Sequence, residues 1–224
     1  MNSNNIVIEN VDIEQTLKYL GYGSNIPDEK IKEYIDKCEK QILQVIIPKY
    51  TYKVFGLSSQ TEVEGADFVL EGNDVKKHLK GCEKIVFMCV TISDGADRLI
   101  RKSQISDMTS AVILDSMASA LTEQVCDKVE EIISREFPEY NMTWRFGLGY
   151  GDFPLSYQKK FLEILDAGKR IGVCVSDSGM LTPTKSVTCV TGLSRKEITD
   201  KKSCGSCALI NSCRFRALGT RCYK

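Results

Sequence analysis

The sequence predicts an α+β fold, a mainly antiparallel twisted sheet with long flanking helices, and three observations predict it. Lys84 to Ile92 (Lys-Ile-Val-Phe-Met-Cys-Val-Thr-Ile) is almost continuously apolar, as a strand buried on both faces requires. Asp107 to Glu136 places Leu114, Ala118, Leu121, Val125, Val129 and Ile132 at helical spacing over about five turns. Strand-like and helix-like runs do not alternate regularly along the chain, which argues against a doubly wound parallel sheet.

The remaining elements follow in order. Asn10 to Tyr22 predicts a short helix, with Leu17 and Leu20 apolar and Gly21 and Gly23 ending it. Ile26-Pro27-Asp28 opens a second helix expected to run to Ile46; Ile31, Tyr34, Ile35, Cys38, Ile42 and Val45 form its buried face and Pro48 stops it. Tyr50 to Leu57, rich in aromatic and β-branched residues, predicts a strand. Phe68-Val69-Leu70 predicts another, followed by a turn at Glu71 to Asp74, with Asp74 as N-cap of a short helix through Leu79. Helices are expected at Asp94 to Arg101 and, entered by Pro154 and left at Gly168, at Leu155 to Ala167. Pro138 ends the long helix. Ile171 to Val175 and Ser186 to Val190 are short β-type runs with Gly179 to Thr184 between them. The chain divides into an N-terminal helical portion (1–50), a main domain (51–193) and a cysteine-rich tail (194–224).

Thirty basic and thirty acidic residues cancel, which argues against a nucleic-acid binder relying on a broad basic face. The polar start, Met1-Asn2-Ser3-Asn4-Asn5, carries no secretory signal pattern, and no apolar run is long enough to cross a bilayer, so a cytoplasmic protein is expected. Ten cysteines are many for such a chain. Cys38, Cys82, Cys89, Cys126, Cys174 and Cys189 are scattered and expected to be unpaired, behaving as small hydrophobes. The other four crowd into the tail as Cys204-Gly-Ser-Cys207, Cys213 and Cys222. That C-x2-C-x5-C-x8-C spacing suits four thiolates around a zinc ion or an iron–sulfur cluster, with Arg214, Arg216 and Arg221 offsetting their charge. An unmetallated or disulfide-bonded tail is the alternative.

The most distinctive stretch runs from Trp144 through Arg145-Phe-Gly147-Leu148-Gly149-Tyr150-Gly151-Asp152 to Pro154. Its glycines let a ligand approach the main chain closely, and Arg145, Tyr150 and Asp152 supply a cation, an aromatic face and an anion. A glycine-lined loop leading into a helix suits a small polar ligand, or it is a purely structural turn. His78, the single histidine, lies on a polar helical stretch and is expected to face solvent.

Arg145 to Pro154, the following helix, and then Gly172-Val-Cys-Val-Ser176-Asp177-Ser178-Gly179-Met180-Leu181-Thr-Pro183-Thr-Lys-Ser-Val187 resemble the activation domain of vitamin B12-dependent methionine synthase. That family carries Arg-x-x-Pro-Gly-Tyr-x-x-x-Pro, a helix, then Thr-Glu-Ser-x-x-Met-x-Pro before a Ser-Val-Ser strand. The resemblance covers roughly Leu70 to Gly192, so 51–193 is expected to be an activation-like domain. It implies S-adenosylmethionine as ligand, with its methyl group held over cobalamin carried by another protein module, during reduction by a flavodoxin- or ferredoxin-like electron donor. The partner would be the cobalamin-binding module of methionine synthase or another corrinoid protein.

The resemblance also assigns residues. Arg145 matches the arginine whose planar guanidinium suits a ligand carboxylate. Gly147, Gly149 and Tyr150 fall where the loop contacts ligand, and the Tyr150 ring suits a sulfonium cation or simple packing. Ser178 and Pro183 match the second motif, Asp177 stands for its glutamate, and Leu181 replaces its methionine with Met180 one position early; this segment is expected to shape the cleft wall and face the corrin. Leu148 replaces a proline. Ser119 stands where an acidic residue is expected, so Glu123 or Asp115, on the same helical face, are the substitutes. The family's late tyrosine has no match here. Two functions follow: a free-standing S-adenosylmethionine-binding activation subunit supporting reductive methylation of cobalamin, without a catalytic acid or base of its own, or a docking or electron-relay protein that no longer binds the methyl donor.

Overall fold

The computed structural model describes residues 6–23, 25–59, 62–198, 204, 210–217, 219 and 221. Helices α1 (Ile13–Leu20) and α2 (Glu29–Leu43) lead into β1 (Lys49–Leu57), β2 (Val63–Glu64), α3 (Asn73–His78) and β3 (Lys84–Thr91). Then come α4 (Asp94–Ser106), α5 (Met108–Glu136), β4 (Asn141–Met142), β5 (Phe146–Gly147), a 3-10 turn (Leu155–Tyr157), α6 (Gln158–Leu165) and α7 (Ala167–Ile171). The described chain ends with β6 (Cys174–Val175), β7 (Leu181–Thr182), β8 (Ser186–Ser194) and α8 (Arg214–Ala217).

The apolar run at 84–92 takes the central place its composition demands. β3 pairs antiparallel with β1, from Lys49↔Thr91 to Gly56↔Lys84, and with β8, from Thr91↔Ser186 to Lys84↔Leu193. The sheet order is β2-β1-β3-β8-β4, with β5 also on β8. Alternation along β3 divides the core. Val86, Met88 and Val90 face the layer of α1, α2, α4 and α5, where Ile35, Ile42, Ile100, Leu114, Leu121 and Val125 pack. Ile85, Phe87 and Cys89 face α3, α6 and α7, meeting Val75, Phe161 and Leu165. Phe87 stacks on Phe161 at 4.6 Å. The helices of residues 1–50 thus share the first core with β3 and α5.

Helix starts follow local chemistry. Asp12, Asp28 and Asp107 accept hydrogen bonds from Gln15 N, Ile31 N and Ser110 N, capping α1, α2 and α5. Gly21 ends α1 in the left-handed region at φ 88°. Several expected boundaries move. α2 stops at Leu43 rather than Ile46, α4 continues to Ser106, and β8 continues to Ser194. Phe68–Leu70 is not a strand: Val69 makes one isolated bridge to Glu62, while Phe68 and Leu70 turn into the core. The two-residue β2 was not anticipated. The helix expected at 155–167 is split, because Asp166 adopts φ 52° and starts a second helix; Gly168 lies inside α7 and Gly172 (φ 74°) ends it. Ile171 therefore belongs to α7, and the strand after it is only Cys174–Val175.

Asp74 does not cap α3. Gly72 is the N-cap residue and makes no side-chain cap bond. The cap arrives from across the fold: Asp152 Oδ2 accepts from Asn73 N at 2.6 Å and Asp152 Oδ1 accepts from Asp74 N at 3.0 Å. These backbone hydrogen bonds, with the one to Asp74 foremost, hold the Asp152 carboxyl below its ordinary range. The approach is close on both sides, and at Gly72 it reaches the Asp152 backbone as well, whose carbonyl oxygen would lie 2.8 Å from an added methyl group. A methyl group on Gly72 would lie 2.6 Å from Asp152 Oδ1, and one on Gly151 2.6 Å from Asp74 Oδ2. Asp152→Ala is expected to lower the thermal unfolding midpoint and to speed amide exchange across 73–78. Because the native pKa lies below the ordinary value of 3.8, the stabilisation is present above that pH and lost as pH falls through the native pKa; Asp152→Asn should flatten this acid limb in a pH series of unfolding midpoints.

Candidate functional site

The glycine-rich stretch leaves the sheet at β5, whose Phe146 and Gly147 pair with Val190 and Cys189 of β8. Beyond it the chain folds back on itself: Gly149 N donates to Phe153 O (2.9 Å), Tyr150 N to Gly147 O (3.1 Å), and Phe153 N to Tyr150 O (3.1 Å). Gly149 and Gly151 take positive φ of 82° and 57°. Phe146 and Phe153 are buried in the second core and fix both ends of the turn. Tyr150 packs edge-on to Phe146 at 5.3 Å and Trp144 at 6.0 Å, so its ring is half-buried among aromatics.

The second motif forms its own tight turn. β6 pairs with β7 through Cys174↔Thr182 and Val175↔Leu181. Ser176 N donates to Met180 O (2.9 Å) and Gly179 N to Ser176 O (2.9 Å), and the hydroxyls of Ser176 and Ser178 lie 2.9 Å apart. Met180 and Ser178 are exposed at its tip, while Pro183 is buried at its root. Leu155 brings the two motifs together. A methyl group on Gly149 would lie 3.1 Å from Leu155 Cδ1, and one on Gly179 3.2 Å from Leu155 Cδ2. Leu155 was not anticipated as a site residue; an apolar residue at a helix entry carries no such signal.

The root of the second motif is pinned to the first helical layer. Asp97 of α4 accepts from Thr184 N at 2.8 Å and pairs with the Thr184 hydroxyl. Lys185 Nζ reaches Asp115 Oδ1 at 2.8 Å and Ser119 Oγ at 2.9 Å. Asp115, considered above as a substitute ligand contact, and Ser119, which stands at the family's acidic position, both hold Lys185 here.

Arg145 points to α5 and meets three carboxylates there: Glu123 Oε2 at 2.9 Å, Asp127 Oδ1 at 2.8 Å and Glu130 Oε2 at 2.5 Å. The structure therefore joins Arg145 to Glu123, both picked from the sequence, and adds Asp127 and Glu130. The missed signal was local, since positions 123, 127 and 130 share one helical face. Glu123 and Asp127 are 45% and 44% exposed, whereas Glu130 is 23% exposed. Burial pushes the Glu130 carboxyl up to about 7, with Asp127 and Glu123 adding to the rise and Arg145 opposing it.

Among solved structures, the chain is similar to the MetH reactivation domain bound to AdoHcy, with a TM-score of 0.57 and 13% sequence identity. The match covers 85% of this chain and 79% of that one. The chain has the fold of the MetH reactivation domain. No protein-family model matches it, and neither does any curated protein sequence. The shared fold with the MetH reactivation domain reaches beyond the segment 70–192 on which the sequence resemblance rests.

His78 corrects an expectation. It is buried, not solvent-facing, with Nε2 2.8 Å from Thr143 Oγ1 and its ring 4.4 Å from Trp144 and 5.1 Å from Phe146. Thr143 Oγ1 also accepts from Gly192 N at 2.8 Å, so this cluster fastens the root of the glycine loop to β8. The polar sequence around His78 hid a side of α3 that turns inward once Asp152 caps it.

The six scattered cysteines are unpaired, and of these Cys38, Cys89, Cys126 and Cys189 are buried. Burial raises the Cys89 thiol to about 12. In the tail, Cys204 and Cys213 are half-buried, while Cys207 and Cys222 lie outside the described residues. Among the described residues, no group of three or more His, Cys, Asp or Glu side chains is placed to hold a metal. No described helix is long and apolar enough to cross a membrane. Phe215 of α8 meets Tyr19 of α1 edge-on at 6.1 Å.

The carboxylate cluster makes a pH-dependent contribution whose sign is fixed. A carboxyl raised from 4.5 to about 7 stabilises the fold fully below 4.5, and that contribution is lost as pH rises through 7. Glu130→Gln should remove this slope from the pH dependence of unfolding by denaturant; an unchanged slope would assign it to other groups.

Proposed function

We propose that this chain binds S-adenosylmethionine, or its product AdoHcy, along the turn 147–151, and serves as an activation subunit for a cobalamin-carrying partner. The observation that carries this reading is the adjacency of the two glycine turns across Leu155, on a fold shared with a domain solved with AdoHcy. A sulfonium ligand needs a surface that accepts its main-chain-hugging adenosine and a pair of charges for its amino-acid end. Gly147 and Gly149 suit the first need, because no side chain blocks the backbone. Arg145 with Glu123 suits the second: the ligand's carboxylate can take the place of Glu123 on the guanidinium while its ammonium takes up the released carboxylate. Both partly exposed members, Glu123 and Asp127, are open to that exchange. Tyr150, Ser178 and Pro183 shape the cleft, and exposed Met180 offers an apolar contact to an approaching corrin ring.

Cobalamin on the partner would supply the metal that accepts the methyl group, after one-electron reduction by a flavodoxin- or ferredoxin-like donor. The work of this chain is to orient the sulfonium and exclude water from it; transfer of a methyl group from sulfonium needs no acid or base from the protein. A second reading rests on one observation: Arg145 already has three carboxylate partners, so a docking or electron-relay role without ligand would leave that cluster purely structural. The partner is the cobalamin module of methionine synthase or another corrinoid protein. In either reading Cys204, Cys207, Cys213 and Cys222 are proposed to hold zinc or an iron–sulfur cluster.

Calorimetric titration of the full chain with AdoHcy tests the first reading. Saturable binding is expected, and Arg145→Ala should weaken it by about 1.5–3 kcal/mol, the worth of a charged hydrogen-bonded pair. Absence of binding by the unaltered chain, with and without a cobalamin-loaded partner, would leave the second reading. Anaerobic purification followed by metal analysis and a visible spectrum tests the tail. Stoichiometric zinc or a cluster absorption lost in Cys204→Ser is expected, and a metal-free preparation would remove the proposal.

A further inference from the structure

We propose that Leu155 is a positioning residue that couples the turns 147–151 and 176–180, so that a ligand seated on one orders both. The ligand half of this proposal rests on the function proposed above; the coupling does not. Each turn is closed by its own backbone hydrogen bonds, and each comes from a different sheet. Between them stands the isopropyl group of Leu155, with Cδ1 on Gly149 and Cδ2 on Gly179. The two spaces are tight. A side chain on either glycine would come within 3.1 or 3.2 Å of a Leu155 methyl carbon, inside the 3.5–4.0 Å that carbon contacts prefer at about their energy minimum. Both glycines also hold positive φ, 82° and 79°, where any other residue is strained.

The base of this contact is rigid. Leu155 follows Pro154 at the start of the 3-10 turn that feeds α6. α6 is seated by buried Phe161 and Leu162, and its Gln158 accepts a buried hydrogen bond from Thr188 Oγ1 of β8 at 2.6 Å. A shift of either turn therefore presses on a side chain whose backbone is held by the anchored start of α6. Leu155 is also 40% exposed, so its outer surface lies open between the turns, where a bound ligand would cover it. A leucine exposed singly is ordinary. One whose two methyl carbons each rest on a glycine of a different segment is a wedge.

Hydrogen exchange of the full chain, with and without AdoHcy, tests the wedge. Without ligand, Leu155→Ala is expected to speed exchange in both 147–151 and 176–180 while β3 and β8 keep their protection. Gly179→Ala should speed exchange in 147–151, a segment it reaches only through Leu155. With AdoHcy, the unaltered chain should gain protection in both turns and Leu155→Ala only in 147–151, with affinity about tenfold weaker. If Leu155→Ala or Gly179→Ala alters only its own segment, the coupling is overturned. If both turns loosen but AdoHcy affinity is unchanged, the ligand half is overturned. If the unaltered chain does not bind AdoHcy, the proposed function fails, and the ligand-free exchange still decides the coupling.

Discussion

Burial of β3 on both faces is the constraint from which the architecture follows. A strand with seven buried residues out of eight must be covered by helices above and below and paired on both edges. Its alternate residues assign those helices: Val86, Met88 and Val90 to α2, α4 and α5, and Phe87 and Cys89 to α3, α6 and α7. The long antiparallel ladder to β8 then carries both glycine-rich motifs, one branching from its outer edge at β5 and the other running into its start. The glycine-rich loops are thus attached to the most deeply buried part of the molecule.

Carboxylates fix these loops in place. Asp152 reaches from the first turn to the N-terminus of α3, where unsatisfied backbone N–H groups receive it. Asp97 and Asp115 hold Thr184 and Lys185 at the root of the second turn. Glu123, Asp127 and Glu130 hold Arg145 at the root of the first. Each of these contacts ties a loop to a helix outside it, α3 through Asp152 and α4 and α5 through their own carboxylates, so the loops are placed relative to both helical layers. Such an arrangement leaves the turn backbones, with their glycines, as the open surface, and keeps most charged side chains occupied beneath it. A small polar ligand would meet main chain, half-buried aromatic ring and exchangeable ion pairs, not a row of free charges.

The sequence made a good part of this legible, and the divisions are physical. The apolar run at 84–92 and the helical spacing from Leu114 to Ile132 are periodic over many residues, so central strand and long helix emerged in place. The two motifs were visible because glycine, proline and serine at fixed spacing demand particular turns. Boundaries were less visible. Asp166 splits a helix that looked continuous, and Phe68–Leu70 looked like a strand although its apolar residues serve burial without pairing. His78 looked exposed because its neighbours are polar, yet contacts to Thr143, Trp144 and Phe146 decide its place.

By itself, the sequence determined the class of fold, the central strand, the long helix and the glycine-rich segments, since these depend on periodicity and on backbone conformations that few residues tolerate. Only the tertiary structure decided what the charged and wedge residues do. Arg145 meets carboxylates on α5, Asp152 caps α3 from 78 residues away in sequence, and Leu155 stands between two glycines of separate turns. The reason is range. Local propensity acts over a turn or two of chain, whereas an ion pair, a cap supplied from outside or a methyl group against a glycine depends on which surfaces burial of the sheet brings face to face.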